Sequence, residues 1–110
     1  MPHAELKYSQ ELQIEPLAIL QFIEETIHGH DTTAGECKGR AYPCEFTHHK
    51  HLYLSLSMLK KPHRDDAYTS ALMAKIEKGV KGKIPESCFF SFSLEYSTNA
   101  DVTNWHEVGE

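Results

Sequence analysis

Apolar and polar residues alternate in four runs along this chain, and the stretches between them follow a helical period. Residues 3–8, "HAELKY", place Ala4, Leu6 and Tyr8 on one side and His3, Glu5 and Lys7 on the other, as in a half-buried strand. "CKGRAYPC" (37–44) sends Lys38, Arg40 and Tyr42 one way. Gly39 and Ala41 lie opposite, small enough for a helix to pack close. Pro43 cannot donate to a ladder, so this strand ends there or lies at a sheet edge. The clearest run, "HLYLSLSML", aligns Leu52, Leu54, Leu56 and Met58, and "CFFSFSLEY" aligns Phe90, Phe92, Leu94 and Tyr96.

Between the first two runs, Pro16 sits where a helix tolerates proline best, in the first turn. Leu17, Leu20, Ile23 and Ile27 follow at helical spacing, and Gly29 is the expected stop. Between the last two, Tyr68, Leu72, Ile76 and Val80 repeat the helical period, with Asp65 or Asp66 as the cap and "KGVKGK" as the break. "HDTTAGE" reads as a loop.

The order is strand-helix-strand, a short link, then strand-helix-strand. The second unit begins 48 residues after the first, from His3 to His51, which points to an internal duplication carried by element order. Each βαβ unit sets its strands parallel with its helix on one face. The expected fold is therefore α+β: two consecutive βαβ units forming a four-stranded mixed sheet with two helices on one face. One domain spans 1–110, with halves at 2–46 and 51–97 and a tail at 98–110. The other face carries Ser55, Ser57, Ser91 and Ser93 with Tyr53, Leu59 and Phe89 among them. One helical layer cannot cover it, and its aromatic residues favour a second subunit over solvent.

Charge narrows the partners. Eleven Lys and Arg against sixteen Asp and Glu give a formal net charge of -5, which argues against a nucleic-acid-binding surface. A local cationic pocket remains compatible with it. Cys37, Cys44 and Cys88 form no CxxC pair and read as reduced thiols of a cytoplasmic protein. The first residues lack the basic start and apolar core of a signal peptide, and no apolar run approaches the ~18 residues of a membrane span. "HGH" (28–30) and "THHKH" (47–51) show no conventional metal-ligand spacing, so no metal is expected.

The candidate chemistry begins at Pro2. Removal of Met1 would expose a prolyl secondary amine at the start of a strand. A free α-amine titrates near ~7.7–8.0, close to the operating pH that suits a general base. Burial and nearby cations favour its neutral form. Lys38 and Arg40, two apart on a strand, project to one side and would supply those cations. An arginine fork suits a carboxylate or a developing oxyanion.

Initial "MPH", the "KGRA" strand, "YLSLSML", "HRDDAYTSAL" before a helix and a closing "FSFSLEY" together resemble the tautomerase superfamily, in its 5-carboxymethyl-2-hydroxymuconate isomerase branch. The resemblance spans nearly the whole chain. It implies a homotrimer with helices outside and sheets inside, and a pocket at each N-terminal proline that needs neither cofactor nor metal. It also implies a cytoplasmic keto–enol tautomerase of a small anionic unsaturated 2-oxo acid, of the kind met in aromatic degradation. By position, Pro2 takes the family's general base and acid role. Arg40 and Lys38 match its second-strand cations, which polarise the 2-keto oxygen and hold a carboxylate. Lys38 stands where related isomerases carry arginine and lacks the bidentate fork. Arg64 resembles the arginine of the "GRS" motif in one-repeat tautomerases and is a candidate substrate-binding residue, though it follows the third strand. It reads otherwise as a residue of a vestigial site or as an ion pair at a helix start.

Two other readings stay open. One is a non-catalytic oligomer of the same fold that binds a small anion or a protein partner. The other adds water to its substrate and needs a further acid, for which Glu5 and Glu95 are available.

Overall fold

A computed structural model describes residues 1–98 and 100–109. The elements are β1 (His3–Ser9), α1 (Pro16–His30), β2 (Lys38–Cys44), β3 (His51–Leu59), α2 (Asp66–Lys81) and β4 (Phe89–Ser97). They form one mixed sheet in the order β2-β1-β3-β4. β1 pairs parallel to β2, β3 pairs parallel to β4, and the two units meet along an antiparallel β1–β3 seam. This is the duplicated βαβ architecture that the alternation predicts.

Strand parity divides the sheet cleanly. Ala4, Leu6, Leu52, Leu54, Leu56 and Met58 face the helices and are essentially inaccessible, as are Ile19, Ile23 and Ile27 of α1 and Leu72, Ile76 and Val80 of α2. Each of these Leu, Ile, Val and Met side chains contributes about 1.5–3 kcal/mol by leaving water. Shortening one should be felt without unfolding the protein. Ile76→Val is expected to cost about 0.5–1.5 kcal/mol in urea denaturation.

Local chemistry sets the element ends. Asp65 caps α2 by accepting the Tyr68 N–H at 2.9 Å. Pro16 opens α1, as expected, but Gly29 does not stop it. The helix runs on to His30, and Asp31 turns extended while its N–H bonds the Ile27 carbonyl at 2.8 Å. No glycine adopts a positive φ, so the stop is made by Asp31 and not by glycine's freedom. Gly39 does serve close packing: a Cβ there would lie 2.9 Å from Leu20 Cδ2 on α1. No helix among the described residues is long and apolar enough to cross a membrane.

Candidate functional site

The helix-free face is a grid of polar rows. In register across β2, β1, β3 and β4, one row reads Lys38, His3, Ser57, Glu95 and the next Arg40, Glu5, Ser55, Ser93. A third reads Tyr42, Lys7, Tyr53, Ser91. Lys38 and Arg40 therefore project side by side from the edge strand, as their spacing predicts.

Pro2 is buried at the N-terminal end of β1, and its carbonyl accepts the Lys38 N–H at 2.9 Å. That bond sets the residue-2 nitrogen at the end of β1, against the start of the strand that carries both cations. Cys37, just before Lys38, reports the neighbourhood. Burial, then Glu24, pushes its thiol up to about 11, while Arg40, Lys38 and the terminal amine pull the other way. The thiol is thus neutral near pH 7 and a poor nucleophile.

Both cations already have partners. Lys38 Nζ donates to Glu36 at 2.9 Å. That hydrogen bond holds the Glu36 carboxyl below its usual range. Arg40 Nη2 lies 3.0 Å from His3 Nδ1, and Nη1 lies 3.6 Å from Glu5. Glu5 also meets Lys7 at 3.9 Å. These pairs are partly exposed, so solvent screens them and an incoming anion can compete. His3, Glu5, Ser55, Ser57, Ser93 and Glu95, with Tyr53 and Leu56, line a concavity of about 190 Å³ on this face. The two acids that sequence alone leaves unplaced, Glu5 and Glu95, thus sit around one hollow, in adjacent rows.

Arg64 lies in a buried cluster between the end of α1 and the start of α2, at the end of the sheet where β1 begins and β3 ends. Only 2% exposed, it donates from Nε to Asp31 Oδ2 at 2.9 Å and from Nη1 to the Leu59 carbonyl at 2.7 Å. The same Asp31 oxygen takes the Tyr68 hydroxyl at 2.7 Å and lies 3.0 Å from His63 Nε2. Its other oxygen takes the Thr33 N–H and hydroxyl at 2.9 and 2.6 Å. Burial opposes the charge, but the hydrogen bonds from Thr33, Tyr68 and His63 outweigh it and hold the carboxyl far below its usual range. Burial first, then the bond to Asp31, pushes the Tyr68 phenol up. These are the contacts of the ion-pair reading of Arg64. No buried side-chain polar atom lacks a partner among the described residues.

Sequence reasoning missed this cluster. Its one local signal was the Asp31-Thr33 turn, because the remaining partners come from the other half. The histidines disperse: His28 meets the Gly35 carbonyl, His30 the Tyr68 carbonyl, and His51 the His49 carbonyl. Among the described residues no three metal-ligating side chains gather. Tyr96 packs against the core, while Trp105 in the tail is 79% exposed.

No protein-family model and no curated protein sequence matches the chain. Solved structures do. A 5-carboxymethyl-2-hydroxymuconate delta-isomerase superposes with a TM-score of 0.72 at 14% identity, over 98% of this chain and 89% of its own. A macrophage migration inhibitory factor-like protein from Entamoeba histolytica gives 0.67 at 11% identity, over 96% of each chain. A fused 4-OT, described as a symmetric trimer, gives 0.67 at 14% identity over 91% of each. The chain has the tautomerase fold. The likeness to the 5-carboxymethyl-2-hydroxymuconate isomerases, read from short motifs in the sequence, is borne out as likeness of fold.

Proposed function

We propose that the chain is a cofactor-independent keto–enol tautomerase of a small unsaturated 2-oxo acid of the 5-carboxymethyl-2-hydroxymuconate type. The observation that carries this reading is the seat of Pro2, locked through its carbonyl to the first residue of the strand that bears Lys38 and Arg40. With Met1 removed, the residue-2 nitrogen is a secondary amine held still by β1. It accepts the proton of the substrate's enol hydroxyl, and its conjugate acid delivers a proton to carbon, so the atoms balance with no other reactant. Arg40 stabilises the oxyanion that develops at the 2-oxygen, and Lys38 anchors a carboxylate. Substrate oxygens replace Glu5 and Glu36 as partners of these cations. Arg64, buried and engaged by Asp31, supports the fold and receives no substrate role.

A homotrimer belongs to the same proposal. Tyr42, Tyr53 and Phe89 are exposed, and so are Val102, Trp105 and Val108 of the tail, which is more apolar surface than a solvated sheet face needs. The fused 4-OT structure is itself described as a symmetric trimer.

Substitutions on β2 separate the roles. Arg40→Ala is expected to lower kcat about 10²-fold. Lys38→Ala should mainly raise KM, by about tenfold, because it removes binding shared by ground and transition states. Steady-state kinetics on a 2-hydroxymuconate-type substrate checks both. An Arg40→Ala enzyme with unchanged kcat would remove the oxyanion role.

A second reading has its own support. While Met1 is attached, the residue-2 nitrogen is a tertiary amide with no basicity, and both cations are paired. In that state the chain is a non-catalytic anion binder. Intact mass of the protein recovered from cells decides which state exists.

A further inference from the structure

Four strands carry only two helices, and the helical layer stops short of β4. In register, Leu52 pairs with Phe90 and Leu54 with Phe92, so all four side chains face the helices. Leu52 and Leu54 are inaccessible, whereas Phe90 and Phe92 are only half-buried. The cause lies on the far side of α2. A Cβ at Gly79 would run into the Phe22 ring of α1, so this glycine lets the two helices approach closely. On the same side, Lys75 Nζ lies 3.0 Å from His30 Nδ1, and His30 Nε2 lies 3.1 Å from the Tyr68 carbonyl. α2 is thus drawn towards α1, with Leu72, Ile76 and Val80 over the core. Its third side, towards β4, faces no helix.

A groove runs along that side. Ser70, Met73, Ala74 and Glu77 of α2 and Phe90 and Phe92 of β4 line about 420 Å³ of it. A second hollow of about 230 Å³ shares Phe90 and carries the groove on past Lys81, Ile84 and Cys88. From Ser70 to Lys81 the helix axis covers about 16 Å. The groove opens on the helical side of the sheet, away from the polar rows of the helix-free face. Its floor is aromatic and its rim is charged. Lys81 Nζ donates to Glu77 at 2.6 Å and stands 5.1 Å from the centroid of the Phe90 ring. Lys78, one turn earlier and exposed, adds a second positive charge to the rim.

The chain carries a segment that fits this groove and leaves it bare. After β4 the tail presents Val102, Trp105 and Val108, which are 86%, 79% and 82% exposed. A spacing of three aligns them along one side of a polyproline II segment, over about 19 Å. The tail is also acidic: residues 98–110 hold Asp101, Glu107 and Glu110 and no Lys or Arg. We propose that the groove between α2 and β4 receives the tail of a second copy, with Trp105 against Phe90 and Phe92 and the tail carboxylates towards Lys78 and Lys81. The tail's own subunit leaves its apolar residues in solvent, so the groove is not filled from within. A groove on one copy and a tail on the next form a head-to-tail contact, the type that generates rings when it closes. The proposal rests on the homotrimer reading and extends it to the helical side of the sheet. Catalysis at Pro2 plays no part in it.

Trp105 is the sole tryptophan, so its fluorescence reports the tail directly. In the full-length oligomer its emission should lie at shorter wavelength, and iodide should quench it less, than in urea. Ala74→Glu puts a negative charge into the groove at an exposed helix position and should return both readings towards those of the unfolded chain. Ser70→Glu, one turn earlier, should do the same, with urea midpoints confirming that both variants fold. Exchange between copies is read by co-expressing Ala74→Glu with a tagged Trp105→Ser chain and purifying through the tag. Every tryptophan then belongs to a chain whose own groove is blocked, and it should be buried again in its partner's. Failure of that recovery would overturn the second-copy occupant. An exposed Trp105 in the wild-type oligomer, or burial unchanged in both Ala74→Glu and Ser70→Glu, would overturn the groove as its seat and leave the trimer standing. A monomer in analytical ultracentrifugation would remove the trimer and this proposal together.

Discussion

Asp31→Asn is expected to destabilise the protein by about 3–5 kcal/mol, the cost of leaving one charge of a buried pair without its counterion. Asp31 and Arg64 are 5% and 2% exposed, and Nε of Arg64 reaches Asp31 at 2.9 Å. Asparagine keeps one carbonyl for Thr33 or Tyr68 but supplies no charge to the guanidinium. Urea denaturation at neutral pH reads the loss. The double change Asp31→Leu with Arg64→Met removes both charges and should cost less than the two single changes added together. The sign of the pH effect follows from the direction of the shift. A carboxyl depressed by folding contributes its full stability above its unfolded pKa, about 3.9, and loses that contribution as pH falls towards the lower folded value. Wild type and Asp31→Asn should therefore converge below about pH 4. An equal gap at neutral and acid pH would show that Asp31 is not the charge that matters.

Pro2→Ala is expected to lower kcat about 10²-fold on a 2-hydroxymuconate-type substrate, within the range general acid–base catalysis contributes. Alanine at the terminus still offers an amine after Met1 removal, but a primary one, without the ring that is buried at the start of β1. The Lys38 N–H bond goes to the residue-2 carbonyl and survives the change, so β2 and its cations should stay in place. KM should move little. A large rise in KM with kcat intact would make Pro2 a wall of the pocket, not its base.

The sheet was legible because parity is a local property. Leu52, Leu54, Leu56 and Met58 needed only their spacing to be assigned to the core, and Lys38 with Arg40 needed only theirs to share a face. The duplicated order then fixed which strands run parallel. What alternation could not supply was register and distance along the chain. Glu5 became a neighbour of Arg40 only through the offset of 35 residues between β1 and β2. Asp31, in a stretch that read as loop, recruits Arg64 and Tyr68 from the other half. Gly29 misled because glycine often ends helices, whereas here Asp31 turned the chain one residue beyond His30. At the candidate site, sequence found the cations, named Glu5 without placing it beside Arg40, and missed Glu36 beside Lys38.

The central claim is that the residue-2 nitrogen is the base. Two preparations of the same chain test it, one with Met1 removed and one with Met1 retained, each verified by intact mass, compared for kcat/KM on one substrate. The Met1-free protein should turn over about 10²–10⁴ times faster, the contribution of a positioned base. Equal rates from the two would contradict the account, because a tertiary amide at residue 2 cannot move a proton.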